Sequence, residues 1–375
     1  MSQVQRRLIT YCTNIHPGES WPETFSAIRE HIPAVKESVS PEAPFPIGLR
    51  LSDNAARQLT GQEVDHFTTW LGEKGCFVPT LNGFPYGSFH GDRVKERVYL
   101  PDWRSEERSD YTIRLADLLS AWLPDAVTGS ISTVPLGFKG CIPDKDLSSV
   151  VKQLHRVLIH LARIYEEQGK SIVLALEPEP GCLLETTEEV CCFFGGLRFA
   201  DRLRHHLGIC FDCCHQAVEF EEPETSLAQL KEHGVPIAKV QISTALTAFD
   251  AGLSRLACFA EDRYLHQVSI RRADGTIARF ADLPQALAGH GRHPEDEWRC
   301  HFHVPVFLPG FDGLGTTRAF TEKLLPLLPP DLLLEVETYT WGILPAELRG
   351  DSVTESIIRE ISWVKDQLNA SHCRH

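Results

Sequence analysis

Two acids stand out by where they fall. Residues 172–176 (IVLAL) and 207–211 (LGICF) are apolar runs, and each ends in a carboxylate, Glu177 and Asp212. Short runs of β-branched and aliphatic residues bounded by Pro and Gly read as buried strands of a parallel sheet. A carboxylate at the end of such a strand has a purpose other than packing, because burying an unpaired charge costs several kcal/mol. Other candidates share this placement. Glu335 and Glu337 lie in DLLLEVET, Gln241 in IAKVQIS and His215 in DCCH, while His301 and His303 alternate with Phe302 in RCHFHVPVF. Glu335 and Glu337 have the same alternation parity, so both belong to an inner face, with Glu337 nearer the strand end. Three carboxylates in one apolar cavity repel one another unless a cation sits between them. Oxygen ligands suit Mg²⁺ or Mn²⁺, and an added imidazole shifts the preference toward Mn²⁺, Co²⁺ or Zn²⁺. His16 and Asn82, at the ends of the first and third strands, are placed to touch a substrate, as are His215, His303 and Trp341. Phe84, Tyr86 and Trp341 supply an aromatic wall. Glu179 is a neighbour of the site without an assigned role.

These residues need a scaffold that gathers strand ends. Strand-like runs occur at 7–13, 46–52, 76–82, 125–135, 172–177, 208–212, 237–243 and 331–338. Between them lie segments of helical spacing at 21–38, 54–75, 99–123, 147–169, 187–206, 217–234 and 315–328, and a helix over 351–368 closes the chain. The clearest helix is 147–169, with Val151, Leu154, Leu158, Leu161 and Ile164 on one face and Gly169 just past its end. This rhythm predicts an α/β protein, a (β/α)8 TIM barrel, whose active site lies at the carboxyl ends of the strands. An open doubly wound sheet is the competitor, but no Gly-rich phosphate fingerprint follows an early strand. The alternation breaks once. Residues 244–307 form an insertion before the last strand, and its two alternating runs around Asp274-Gly275 signal a β-hairpin. With no Pro/Ser-rich linker, residues 1–375 are expected to form one barrel domain.

Composition narrows the function. The formal net charge of −14 opposes binding to a phosphate backbone or an anionic membrane surface. The 12 cysteines include two adjacent pairs, Cys191–Cys192 and Cys213–Cys214, and several others inside apolar runs, which reads as reduced thiols and not as a disulfide or structural zinc framework. No apolar stretch approaches the length of a membrane span. The expectation is a soluble, cytoplasmic protein that takes a small-molecule metabolite, with no nucleic-acid or membrane partner. Oligomerisation through the insertion is left open.

LALEPEP, CFDCCH, KVQIS and LEVETYTW together resemble the xylose isomerase-like TIM-barrel superfamily of sugar isomerases and epimerases, dehydratases and endonuclease IV. The resemblance implies one divalent metal ion (Mn, Mg, Co or Zn) held by Glu177, Asp212 with His215, Gln241 and Glu337. Gln241 stands where the sugar epimerases have His and matches the dehydratase-like branch, which makes His303 the candidate to replace the missing imidazole. TYCTNIHPGESW, LNGFPYGSFHG, LEPEPG, HFHVPVF and ETYTW further resemble the EboE-type metabolite-traffic proteins over nearly the whole chain. The function implied is a metal-dependent isomerase, epimerase or dehydratase of a small polyhydroxylated carbonyl compound, with Glu177 and Glu337 moving the proton and His215 assisting. The alternative is a barrel that binds and hands over a metabolite unchanged. A phosphodiesterase like endonuclease IV would need more histidines at strand ends and a basic surface.

Overall fold

The computed structural model describes residues 7–91, 93–141 and 147–372. Eight parallel strands form the barrel: β1 Ile9–Tyr11, β2 Phe45–Arg50, β3 Cys76–Asn82, β4 Gly129–Thr133, β5 Ile172–Leu176, β6 Leu207–Asp212, β7 Ile237–Ile242 and, last in the chain, Leu334–Val336. The ladder runs from β1 to the Leu334–Val336 strand and on through β7, β6, β5, β4, β3 and β2. Closure between β1 and β2 is lighter. One bridge joins Cys12 to Gly48. The Thr10 hydroxyl donates to Pro46 O at 2.6 Å and accepts from Gly48 N at 3.2 Å. Pro46 has no N–H to offer a ladder, and a side chain takes its place at the seam.

Each strand is covered by helices packed through one apolar face. Helix Ser148–Gln168 buries Val150, Leu154, Val157, Leu158 and Leu161, and Gly169 ends it at φ 71°, a conformation that favours glycine. Ser20 with Glu23 and Thr186 with Glu189 make capping boxes that start two further helices.

Several expected helices are broken. The run 54–75 is two helices, Asp53–Gln58 and Gly61–Lys74. The run 187–206 is interrupted after Gly195-Gly196, and 217–234 divides at Phe220, which takes φ 58° just before Pro223. Apolar spacing continues across these breaks because both pieces pack on the same barrel; Gly pairs and Pro decide the backbone.

The insertion is larger than a hairpin. It is a six-stranded antiparallel sheet of β8 Leu246–Ala248, β9 Val268–Arg271, β10 Ile277–Phe280, β11 Glu297–Cys300, β12 Gly310–Phe311 and β13 Leu314–Thr316, in the order β10-β9-β11-β8-β13-β12. It therefore runs past residue 307, and the Leu334–Val336 barrel strand is β14. The insertion has its own core around Leu246, Ile270, Trp298 and Phe302. The RCHFHVPVF run is strand only up to Cys300. His301 N still reaches Gln267 O, but Val304 N turns to Thr244 O, so 301–304 crosses from the sheet to the barrel mouth. That crossing brings two histidines to the site. Among the described residues no helix is long and apolar enough to cross a membrane.

Candidate metal centre and active site

Asp212 closes β6 and caps the short helix Cys213–Val218. Its Oδ1 accepts from His215 N at 3.0 Å and from Ser243 Oγ at 2.7 Å. The D-x-x-H spacing is thus a capping geometry that folds His215 back over the acid, with Nε2 3.9 Å from Asp212 Oδ2. Glu177 follows β5 with its backbone still in ladder register, N to Thr133 O. Pro178 and Pro180 then hold the chain extended, while Glu179 accepts from Tyr99 Oη at 2.7 Å and Gln267 Nε2 at 3.1 Å. Glu337 follows β14, its N bonded to Ile242 O. Glu337 Oε1 accepts from Asn14 Nδ2 at 2.7 Å and Asn82 Nδ2 at 3.3 Å.

Each of the acids Glu177, Asp212 and Glu337 places an oxygen within 4.8 Å of the other two, and all three are buried. Glu177 Oε2 and Asp212 Oδ2 have no hydrogen-bond partner, and neither does the Oε1 or Nε2 of Gln241, which is wholly buried beside Asp212 on β7. Buried polar groups left this way mark a missing partner. Burial, together with Asp212 across the cavity, pushes the Glu177 carboxyl up to about 7, against the pull of His215. Burial and the neighbouring Glu177 and Asp212 push Glu337 well above the usual carboxylate range. Burial acts against the charge on Asp212 too, but His215, His303 and the two hydrogen bonds hold it below its ordinary value. The donor set fits a divalent cation: three carboxylates gathered within 4.8 Å and an amide, with Glu177, Asp212 and Gln241 each holding an oxygen that lacks a partner.

Above the acids lies a cavity of about 60 Å³. Its walls are largely aromatic, with Phe84, Phe89, Tyr99, Tyr264 and Tyr339 over the polar floor. Tyr264 and Leu265 come from the insertion, which is clasped to the 93–99 loop by Val94 N and Lys95 N on Arg263 O and by the Lys95–Asp282 ion pair. The insertion thus covers the mouth.

The structure brings together Glu177, Asp212, Gln241, Glu337, Asn82, His215 and His303 as expected, and adds His301. It does not bring His16 or Trp341 to this cavity. His16 bonds Tyr11 Oη and stacks on His31 at 4.2 Å, and Trp341 donates to Arg349 O. Both line a neighbouring cavity with His31 and His90. The reason is local: β1 stops at Tyr11 and the chain turns into a 3-10 helix, Thr13–Ile15, so Asn14 points inward in place of His16. Tyr86 also faces away, donating to Asp53, so Phe84 alone of the expected aromatic wall reaches the cavity. Tyr99 and Tyr264 carried no strand-end signal, while Asn14 and Tyr339 directly follow the expected strands 7–13 and 331–338 and could have been read from that position.

In fold the chain is similar to xylose isomerase-like TIM barrel proteins. A xylose isomerase-like TIM barrel protein from Mycobacterium smegmatis in complex with magnesium is 12% identical at TM-score 0.55, covering 98% of each chain. A D-tagatose 3-epimerase-like protein is 13% identical at TM-score 0.52, covering 98% of this chain and 99% of that one. D-Psicose 3-epimerase with D-tagatose from Clostridium cellulolyticum H10 is 11% identical at TM-score 0.50, covering 97% and 99%. No protein-family model and no curated protein matches the chain. At these identities the likeness establishes the fold.

Proposed function

We propose that the protein is a divalent-metal-dependent isomerase, epimerase or dehydratase of a small polyhydroxylated carbonyl compound. The observation that carries this reading is the set of buried carboxylates, Glu177, Asp212 and Glu337, each with an oxygen within 4.8 Å of the others, Glu177 and Asp212 each leaving one oxygen unpartnered. The buried cation Lys239 is already paired with Glu335. Glu177, Asp212, Gln241 and Glu337 would hold the ion, and when bound it supplies Lewis-acid polarisation of substrate oxygens. The magnesium in the M. smegmatis protein and the epimerase names among the similar folds accord with this class of chemistry.

The chain's own residues divide the remaining work. Glu177 takes the proton from the carbon next to the substrate carbonyl. Glu337, held in place by Asn14 and Asn82, returns a proton to the same carbon or its neighbour. If a hydroxyl leaves instead, the outcome is dehydration. The Phe84, Phe89 and Tyr339 walls exclude water from a site where a loose proton would be lost to solvent.

Glu177→Gln tests the assignment. It removes the base while keeping the shape of the side chain, so turnover should disappear with the unfolding transition intact. Full activity in that variant would overturn the reading. A metabolite that binds wild-type protein tightly and is recovered unchanged would favour the carrier role instead.

A further inference from the structure

Three imidazoles meet at the barrel mouth with the same ring nitrogen turned inward. His215 Nε2 lies 3.2 Å from His301 Nε2, which in turn lies 3.2 Å from His303 Nε2. All three rings are buried. The other nitrogen of each is committed to an acceptor. His215 Nδ1 donates to Pro178 O at 2.9 Å, and His303 Nδ1 to Glu337 O at 2.9 Å. His301 Nδ1 faces Gln267 Oε1 at 2.8 Å, and that amide is oriented by its own Nε2, which donates to Tyr99 Oη and Pro180 O. A ring that donates from Nδ1 presents a bare lone pair at Nε2. The two contacts in a row, His215 to His301 and His301 to His303, leave facing ring nitrogens that a proton or a metal cation must bridge. Fixing one ring nitrogen on a carbonyl so that the other can ligate is how histidine ligands are oriented.

We propose that His215, His301 and His303 hold a second divalent ion, of the zinc or cobalt class, beside the carboxylate site. Imidazole ligands select these ions over magnesium, and three of them leave one open position in a tetrahedral set. Asp212 joins the two sites. Asp212 groups with His215 and His303 on one side and with Glu177 and Glu337 on the other, and its Oδ2 has no hydrogen-bond partner. His215 and His303 thereby become ligands of a separate ion instead of substrate contacts or a replacement for the strand-seven imidazole. The insertion supplies two of the three histidines, because the 301–304 crossing exists only where β11 ends at Cys300. The proposal goes beyond the carboxylate-site reading and can stand without it.

The test is metal content, independent of turnover. The protein is stripped with a chelator, reloaded with Co²⁺ or Zn²⁺, dialysed and assayed by elemental analysis, with His301→Gln, His303→Gln and Glu337→Gln alongside. Circular dichroism checks each fold. Wild type is expected to retain about two ions per chain, with each histidine variant and Glu337→Gln retaining about one. The Co²⁺ form should lose its intense visible bands in the histidine variants and keep them in Glu337→Gln. A single ion lost only in the histidine variants supports this proposal and overturns the carboxylate-site reading. A single ion lost only in Glu337→Gln overturns this proposal and leaves that reading intact. No retained ion overturns both. Should one histidine variant not fold, the other and the wild-type count still decide.

Discussion

Lys239 Nζ and Glu335 Oε2 stand 2.5 Å apart inside the barrel, both side chains wholly buried, on the adjacent strands β7 and β14. They form the layer beneath the site, since Gln241 and Glu337 are the next inward positions on the same strands. Burial acts to lower the Lys239 pKa, but the Glu335 carboxylate outweighs it and raises it. Breaking a buried pair from one side strands a charge and costs about 3–5 kcal/mol. Lys239→Met should destabilise the protein by that order in denaturant unfolding. Lys239→Met with Glu335→Leu should recover most of the loss. Equal instability in the double variant would mean that packing, and not charge, dominates at this layer.

The same layer explains a glycine. A Cβ at Gly48 would come within 1.8 Å of Glu335 Oε1 and 2.7 Å of Tyr11 O, and the second of these is backbone that cannot step aside. Gly48→Ala should cost about 1–3 kcal/mol by overpacking. Wild-type unfolding midpoints in that variant would show that the seam between β1 and β2 yields more easily than its contacts imply.

Asn14 and Asn82 both donate to Glu337 Oε1 and so fix which oxygen remains for a cation. Groups that orient a metal ligand typically change affinity by about 10–100-fold. Asn14→Ala should weaken metal binding by that factor in competition with a chelating dye, while thermal stability of the chelated protein changes little. Unchanged affinity would separate Glu337 from the metal.

Glu360, on the closing helix Val353–His372, gives a pH prediction away from the site. Its Oε2 accepts from Val306 N at 3.1 Å and Thr338 Oγ1 at 2.7 Å, while Oε1 is buried without a partner. Burial pushes this carboxyl up to about 7 despite those hydrogen bonds. A carboxyl whose pKa is raised on folding binds more protons folded than unfolded, so its contribution falls as pH rises from about 4.5 to about 7 and stays lost above. Glu360→Gln does not titrate. Its stability relative to wild type should rise by about 3 kcal/mol across that window. A difference that is flat with pH would place the charge of Glu360 in contact with a cation.

Strand ends were the legible part of the site. Glu177, Asp212, Gln241 and Glu337 follow from apolar runs that stop at polar residues, and the parity of Glu335 with Glu337 put Glu335 deeper on the inner face, where it lies. Lys239 has the same parity with Gln241 but escapes notice, because a lysine inside an apolar strand reads as a solvated position until its partner on β14 is known. His16 failed for a different reason: a three-residue strand followed by a 3-10 turn shifts the inward position by two residues, to Asn14. His301 and His303 were visible as an alternating pair, but their meeting with His215 depends on where β11 ends. Tyr264 reaches the cavity through a folded loop, and nothing in its local spacing announces it.

Hydrogen exchange at carbon tests the central claim most directly. A panel of ketoses, aldoses and cyclic polyhydroxy ketones is incubated with the protein in D₂O, and deuterium uptake next to the carbonyl is read by mass spectrometry. Uptake into at least one compound is predicted for metal-loaded wild type, with loss on chelation and in Glu177→Gln. Uptake that survives chelation or Glu177→Gln, or no uptake by any compound in the panel, would contradict a carboxylate site that moves a proton with a metal's help.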